Sequence, residues 1–167
     1  MFSVGDVVKY GVNGICKITD IVVKDFLGTD TEYYVLKPTS RDDSTFFVPT
    51  ENEELTSKMQ YILSKEEALN IIGELPEVGE PWIENDKMRA EAYGQILSSK
   101  DRRKLFGVVR TLYIKKAELE ALGKKMHVAD ERIMNDAERM IGDEFSVVLG
   151  IKRSEVAGFI DGILQGK

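Results

Sequence analysis

The sequence predicts an α+β protein of two domains, a small N-terminal antiparallel β barrel-like sheet followed by an all-α C-terminal helical domain. Three observations predict it. Residues 4–49 are rich in Val, Ile, Tyr, Phe and Thr, with turn residues at short spacing. The stretch Leu75-Pro76-Glu77-Val78-Gly79-Glu80-Pro81 then breaks the chain. After Trp82, the only tryptophan, apolar residues recur at helical spacing.

Taken in order, strands are expected near Asp6–Tyr10, Gly14–Val23, Glu32–Lys37 and Thr45–Val48. Gly11 to Gly14 would make the first turn, Gly28-Thr29-Asp30 a hairpin turn and Ser40-Arg41-Asp42-Asp43 another. Pro38 and Pro49 fall at strand ends, where a missing N–H does little harm. Short antiparallel strands at this density suggest a strongly twisted barrel that leaves an edge for a partner strand. Residues 50–63 read as a link. Ser64-Lys65-Glu66-Glu67 is a capping-box pattern and predicts a helix over Lys65–Glu74.

Downstream, Met88, Tyr93, Ile96 and Leu97 set a first stripe, with Ser98-Ser99 as cap and break. Leu105, Val108, Val109, Leu112 and Leu119 set a longer one, ended by Gly123. Ile133, Ala137, Met140, Ile141, Phe145 and Val148 set a third, ended near Gly150, and Val156, Phe159, Ile160 and Ile163 a last short one. Four helices with short connections can enclose a core. The expected organisation is a β module over 1–55, a linker with a short helix over 56–81 and a helical domain over 82–167.

Hydrophobic residues make up 43% of the chain, enough for real cores. No uncharged run is long enough to span a bilayer, and Met1–Asp6 lacks the basic-then-apolar pattern of a signal peptide. With one cysteine, Cys16, and one histidine, His127, neither an internal disulfide nor a Cys/His zinc site can form. A cytoplasmic protein with no metal and no membrane contact is expected.

Catalytic motifs are missing. There is no P-loop and no Gly-rich loop opening a helix. His127 lies in a polar connection and reads as a solvated loop residue; Cys16, inside a strand pattern, reads as a small buried hydrophobe. The adjacent carboxylates at Asp42-Asp43, Glu53-Glu54 and Glu66-Glu67 sit where loops and helix starts favour acids. A non-enzyme without cofactor or small-molecule substrate is expected.

The net charge of −6 argues against nucleic acid, but its distribution does not. Residues 51–81 carry two Lys/Arg against eight Asp/Glu, whereas residues 82–125 carry eleven against six. Lys87, Arg89, Lys100, Arg102, Arg103, Lys104 and Arg110 bracket the first inter-helix turn. They are either a solvated helix face or a phosphate-contacting surface. Trp82, at the start of this segment, is either a packing residue or an apolar wedge for a base step.

Two ordered sets of residues carry a family likeness. The first is Phe2–Tyr10, Gly14 with Ile15–Ile18, Tyr33–Leu36 and Thr45-Phe46-Phe47-Val48-Pro49. The second is Trp82, then Leu97-Ser98-Ser99-Lys100-Asp101, then Val108-Val109-Arg110-Thr111-Leu112. Together they resemble the bacterial CarD-like transcription regulators, whose N-terminal module also occurs in the transcription-repair coupling factor. The resemblance implies a Tudor/SH3-like barrel that binds the β subunit of bacterial RNA polymerase through an edge strand. Here that strand would be Thr45, Phe46, Phe47 and Val48, with Lys24 nearby. It also implies a helical domain on promoter DNA at the upstream edge of the transcription bubble, weakly sequence-specific and in the minor groove. Trp82 would wedge there. Lys87 and Arg89, with Arg102, Arg103 and Lys104, would hold the phosphates. Phe47 stands where some members carry a basic residue, which makes the polymerase contact more apolar. Gly11 and Asn13 replace a Pro and a His common in the first turn, and the stretch from Trp82 to Leu97 is a few residues longer than in some members. The expected function is to stabilise the open complex from a cytoplasmic, nucleoid-associated position. The alternative is a protein–protein adaptor with a buried Trp82 and no direct DNA contact.

Overall fold

Period-two patterning before Ser64 becomes five strands: β1 (Val7–Tyr10), β2 (Ile15–Lys24), β3 (Thr31–Pro38), β4 (Phe46–Pro49) and β5 (Met59–Tyr61). The structure, a computed structural model, describes residues 1–40, 43–75 and 79–159. Every pairing is antiparallel and the order is β4-β3-β2-β1-β5. The first four strands match the expected ones to within a residue or two. Gly14 closes the first turn at φ 82°, a left-handed value that favours glycine, and its carbonyl accepts the Tyr10 N–H. A register shift between Ile18 and Asp20 interrupts the β2–β3 ladder just beyond the part of β2 that also pairs with β1.

The expected barrel does not close. β4 and β5 are the two edges of an open sheet, with no pairing between them among the described residues. Both are short, and β4 ends on Pro49, which has no N–H to give. The path between them is taken by a one-turn helix, α1 (Glu53–Thr56), capped by the Asn52 side chain on the Leu55 N–H. The core lies on one sheet face: Val8, Cys16, Ile18, Tyr34, Leu36, Val48 and Met59 are buried together. Phe2, Tyr10 and Leu55 pack against them.

The helical unit holds α2 (Lys65–Gly73), α3 (Asp86–Ser98), α4 (Arg102–Ala121) and α5 (Val128–Leu149). The capping box is complete: the Ser64 hydroxyl accepts the Glu67 N–H and the Glu67 carboxylate accepts the Ser64 N–H. α5 packs against α2, α3 and α4. Its left-handed C-cap, Gly150, ends it as expected. A short 3₁₀ turn, Arg153–Glu155, and helical residues 156–159 follow. The rest of the last stripe, with Ile160 and Ile163, lies outside the described residues, as do Arg41-Asp42 of the third turn and Pro76–Val78 of the expected boundary.

The chain divides into two compact units, Met1–Leu63 and Ser64–Lys167, so that α2 falls in the second. α2 is not a linker helix. Ala68, Ile71 and Ile72 are buried, and full burial of one such aliphatic side chain contributes about 2 kcal/mol.

Candidate functional site

Residues 79–84 form a strap that lies across the second unit. The Glu80 N–H donates to the Gly107 carbonyl at 3.1 Å, and the Thr111 hydroxyl donates to the Glu80 carbonyl at 2.5 Å. The Tyr93 hydroxyl donates to the Pro81 carbonyl at 2.7 Å. Arg89 donates to the Ile83 carbonyl at 2.8 Å. Glycine is required at one position where strap meets helix and favoured at another. A Cβ on Gly79 would lie 2.3 Å from Thr111 Oγ1 and 2.9 Å from the Gly107 carbonyl oxygen; one on Gly107 would lie 3.3 Å from the Glu80 nitrogen. The strap therefore approaches α4 as closely as backbone can.

Trp82 is held in the middle of this strap and is half-buried. The Arg89 guanidinium carbon lies 4.1 Å from its ring centroid, and Lys115 Nζ of α4 lies 4.7 Å from it. Its indole nitrogen is covered and has no hydrogen-bond partner among the described residues. A cleft of about 600 Å³ opens beside the ring, lined by Gly79, Glu80, Pro81, Trp82, Thr111, Ile114, Lys115 and Glu118.

The cations around the site fall into two classes. Arg89 and Arg102 are only 2% and 6% exposed. Arg89 makes a two-pronged bond to Asp130 (2.8 and 2.7 Å) and another bond to Asp86 (2.7 Å). Arg102 makes a two-pronged bond to Glu144 (2.9 and 2.8 Å) and donates to the Lys100 carbonyl (2.9 Å). These two arginines fasten α3 and α4 to α5, and a buried arginine removed from its carboxylate leaves an uncompensated charge. Both were expected to hold phosphates; here their guanidinium groups are turned inward to these carboxylates. Lys87 and Lys104 are exposed, as is Arg103, which pairs with Glu74 at 2.5 Å on the surface. The Asp130 carboxylate raises the Arg89 pKa, and the Arg89 hydrogen bond holds the exposed Asp86 carboxyl below its ordinary value.

In the first unit the expected edge is present. β4 pairs on one side with β3, Val35 opposite Phe47 and Tyr34 opposite Val48, and its other side has no strand among the described residues. Val48 points into the core and is fully buried, so it offers a partner only its backbone. Thr45 and Phe47 are exposed, Phe46 is half-buried, and Lys24 is exposed at the end of β2. Phe47 belongs to an aromatic group on the face opposite the core: its ring centroid is 5.2 Å from that of Phe26 and 6.3 Å from that of Tyr33. Phe26 and Leu27 are exposed beside it.

Residues 2–62 match the family model of the CarD-like/TRCF RID domain. No curated protein matches the chain. The match to the RID domain, an RNA polymerase-interacting domain, covers nearly the same residues as the first unit and includes β5. The matched segment holds Lys24, Thr45, Phe46, Phe47 and Val48; Trp82 and every basic residue assigned to DNA lie beyond it.

Sequence reasoning missed the partners that define the second site. Lys115 lies thirty-three positions from Trp82, and Thr111, Gly79 and Gly107 carry no individual pattern. Phe26, in the RID domain, sits in an irregular turn after β2. No group of three or more His, Cys, Asp or Glu among the described residues can hold a metal ion. His127 stands at the exposed N-cap position of α5, 3.7 Å from Asp86. Cys16 is fully buried, and burial pushes its thiol pKa to about 11, away from any nucleophilic role. No helix among the described residues is long and apolar enough to cross a membrane.

Proposed function

We propose that the protein bridges bacterial RNA polymerase and promoter DNA and stabilises the open complex. The observation that carries this reading is the RID match over residues 2–62, which supports a contact with the polymerase β subunit through β4. The exposed β4 edge offers main-chain groups for an added strand, and Phe26 and Phe47, packed on the buried Tyr33, offer an apolar face next to it. On the DNA side, the reading assigns Trp82 as the minor-groove wedge at the upstream bubble edge. Lys87, Arg103 and Lys104 would contact phosphates, and Lys115 joins them because it already stands at the ring. Tethering through the polymerase raises the local concentration of the second unit at the promoter, so DNA affinity itself can be weak and the protein acidic overall.

The test is open-complex lifetime with full-length protein at saturation. Trp82→Ala is expected to shorten the lifetime roughly threefold or more while polymerase binding persists. Lys104→Gln and Lys115→Gln are each expected to lower the log–log salt slope of promoter association by about 0.9. An unchanged lifetime with Trp82→Ala would sink the wedge. One observation favours the second reading, an adaptor without DNA contact: the Trp82 indole N–H is already covered in the free protein. On that reading no lysine variant alters the salt slope.

A further inference from the structure

We infer that Arg89 and Asp130 are a positioning pair that sets the plane on which the Trp82 ring rests. The inference rests on Trp82 being the residue that meets DNA. A guanidinium has five N–H donors in a rigid fork, and in Arg89 each has an acceptor. Nε and one Nη2 N–H go to the two oxygens of Asp130, at 2.8 and 2.7 Å. The other Nη2 N–H goes to Asp86 at 2.7 Å. The Nη1 pair goes to the carbonyls of Ile83, at 2.8 Å, and Glu84, at 3.5 Å. No N–H is left for a phosphate. What remains is the face of the group, whose central carbon lies over the Trp82 ring, 4.1 Å from its centroid.

The second half of the argument is orientation. A two-pronged bond fixes a plane, which a single hydrogen bond does not. Asp130 supplies that bond from the first turn of α5, where a carboxylate is favoured by the unpaired N–H groups of the helix end. The same guanidinium also holds the strap just after Trp82, through the Ile83 and Glu84 carbonyls. One buried cation therefore ties α3, α5 and the strap together and presents a fixed platform to the tryptophan. Lysine has the charge but neither the fork nor the flat face.

Charge alone and positioning predict opposite signs for one variant. Asp130→Asn removes a negative charge from the DNA-facing unit, so an electrostatic role predicts tighter promoter contact and a longer open-complex lifetime. A positioning role predicts the reverse. The experiment uses the full-length protein with Asp130→Asn and Arg89→Lys. Two quantities are read: acrylamide quenching of Trp82 emission in the free protein, and open-complex lifetime with polymerase and promoter. Both variants are expected to raise the quenching constant about twofold or more and to shorten the lifetime roughly two- to fivefold. Quenching equal to wild type in both variants, or a longer lifetime with Asp130→Asn, overturns the proposal. If circular dichroism shows that Asp130→Asn has lost helicity, Arg89→Lys, which keeps the charge, decides by the same criteria. The quenching arm needs no DNA. It judges the pair even if Trp82→Ala leaves the lifetime unchanged and the wedge reading itself falls.

Discussion

Arg89 and Arg103 sit in the same basic segment, yet one is 2% exposed and the other has a side chain 50% exposed. The difference is the face of the helix. Arg89 shares a face with Tyr93 and Leu97 at spacings of four, both buried, whereas Met88, expected on the core stripe, is 61% exposed. The i, i+4, i+8 relation was present in the sequence. What was absent was the partner: Asp130 lies forty-one positions away, and nothing local announces it. Trp82 was legible because a lone tryptophan at a charge transition is rare; its neighbours were not. Cys16 provides a test at this scale. Its folded pKa, about 11, lies above the ordinary thiol value, so its contribution to stability is intact below about pH 8.5 and is lost as the pH rises toward 11. Replacing it with Ala is expected to remove on the order of 2 kcal/mol of alkaline destabilisation between pH 8 and pH 11, measured as the difference between the two proteins in urea titrations. A variant that loses stability as steeply as wild type over that range would show that the thiol is not responsible.

Among the elements, long strands and helices were readable and short ones were not. β2, with ten residues, and α5, with twenty-two, announced themselves by period. β5 has three residues and α1 four, too few to establish either period, and both vanished into an expected link. Gly79 and Pro81, before Trp82, mark a stretch outside the helices, and the division between the two units falls earlier, before α2. A segment that cannot be helical can still be fastened by its carbonyls, as the strap is at Glu80, Pro81 and Ile83. Gly79→Ala puts a Cβ against the backbone of α4, which cannot yield as a side chain would. The expected outcome is a loss of roughly 1–3 kcal/mol in stability of the second unit and a shift in Trp82 emission, both followed in one urea titration. Ser64→Ala, by contrast, should cost about 1 kcal/mol without altering the emission, because it removes a cap far along the chain from the strap.

For the whole chain, the division at Leu63 and Ser64 changes which fragment can stand alone. A fragment of residues 1–55 omits β5, which pairs with β1 through Val8, Lys9 and Tyr10, and omits Met59, a buried core residue. Residues 1–63 keep both. The expected result is a cooperative melting transition and retention of polymerase by 1–63, and neither by 1–55. Equal behaviour of the two fragments would show that β5 is dispensable. The α+β class and the order of the two parts were visible from local composition, turn spacing and helical period; the open sheet was not, because closure depends on whether two short edges meet.

Among the described residues, the indole N–H of Trp82 has no acceptor where the ring now rests. Leaving that place forfeits contacts with two cations, each worth about 0.5–2 kcal/mol, but no hydrogen bond. A donor covered without a partner carries a penalty of roughly 1–3 kcal/mol, which departure relieves. The covered donor therefore offsets part of what the two cations contribute, and a partner that offers the indole an acceptor and a flat surface has that much less to overcome.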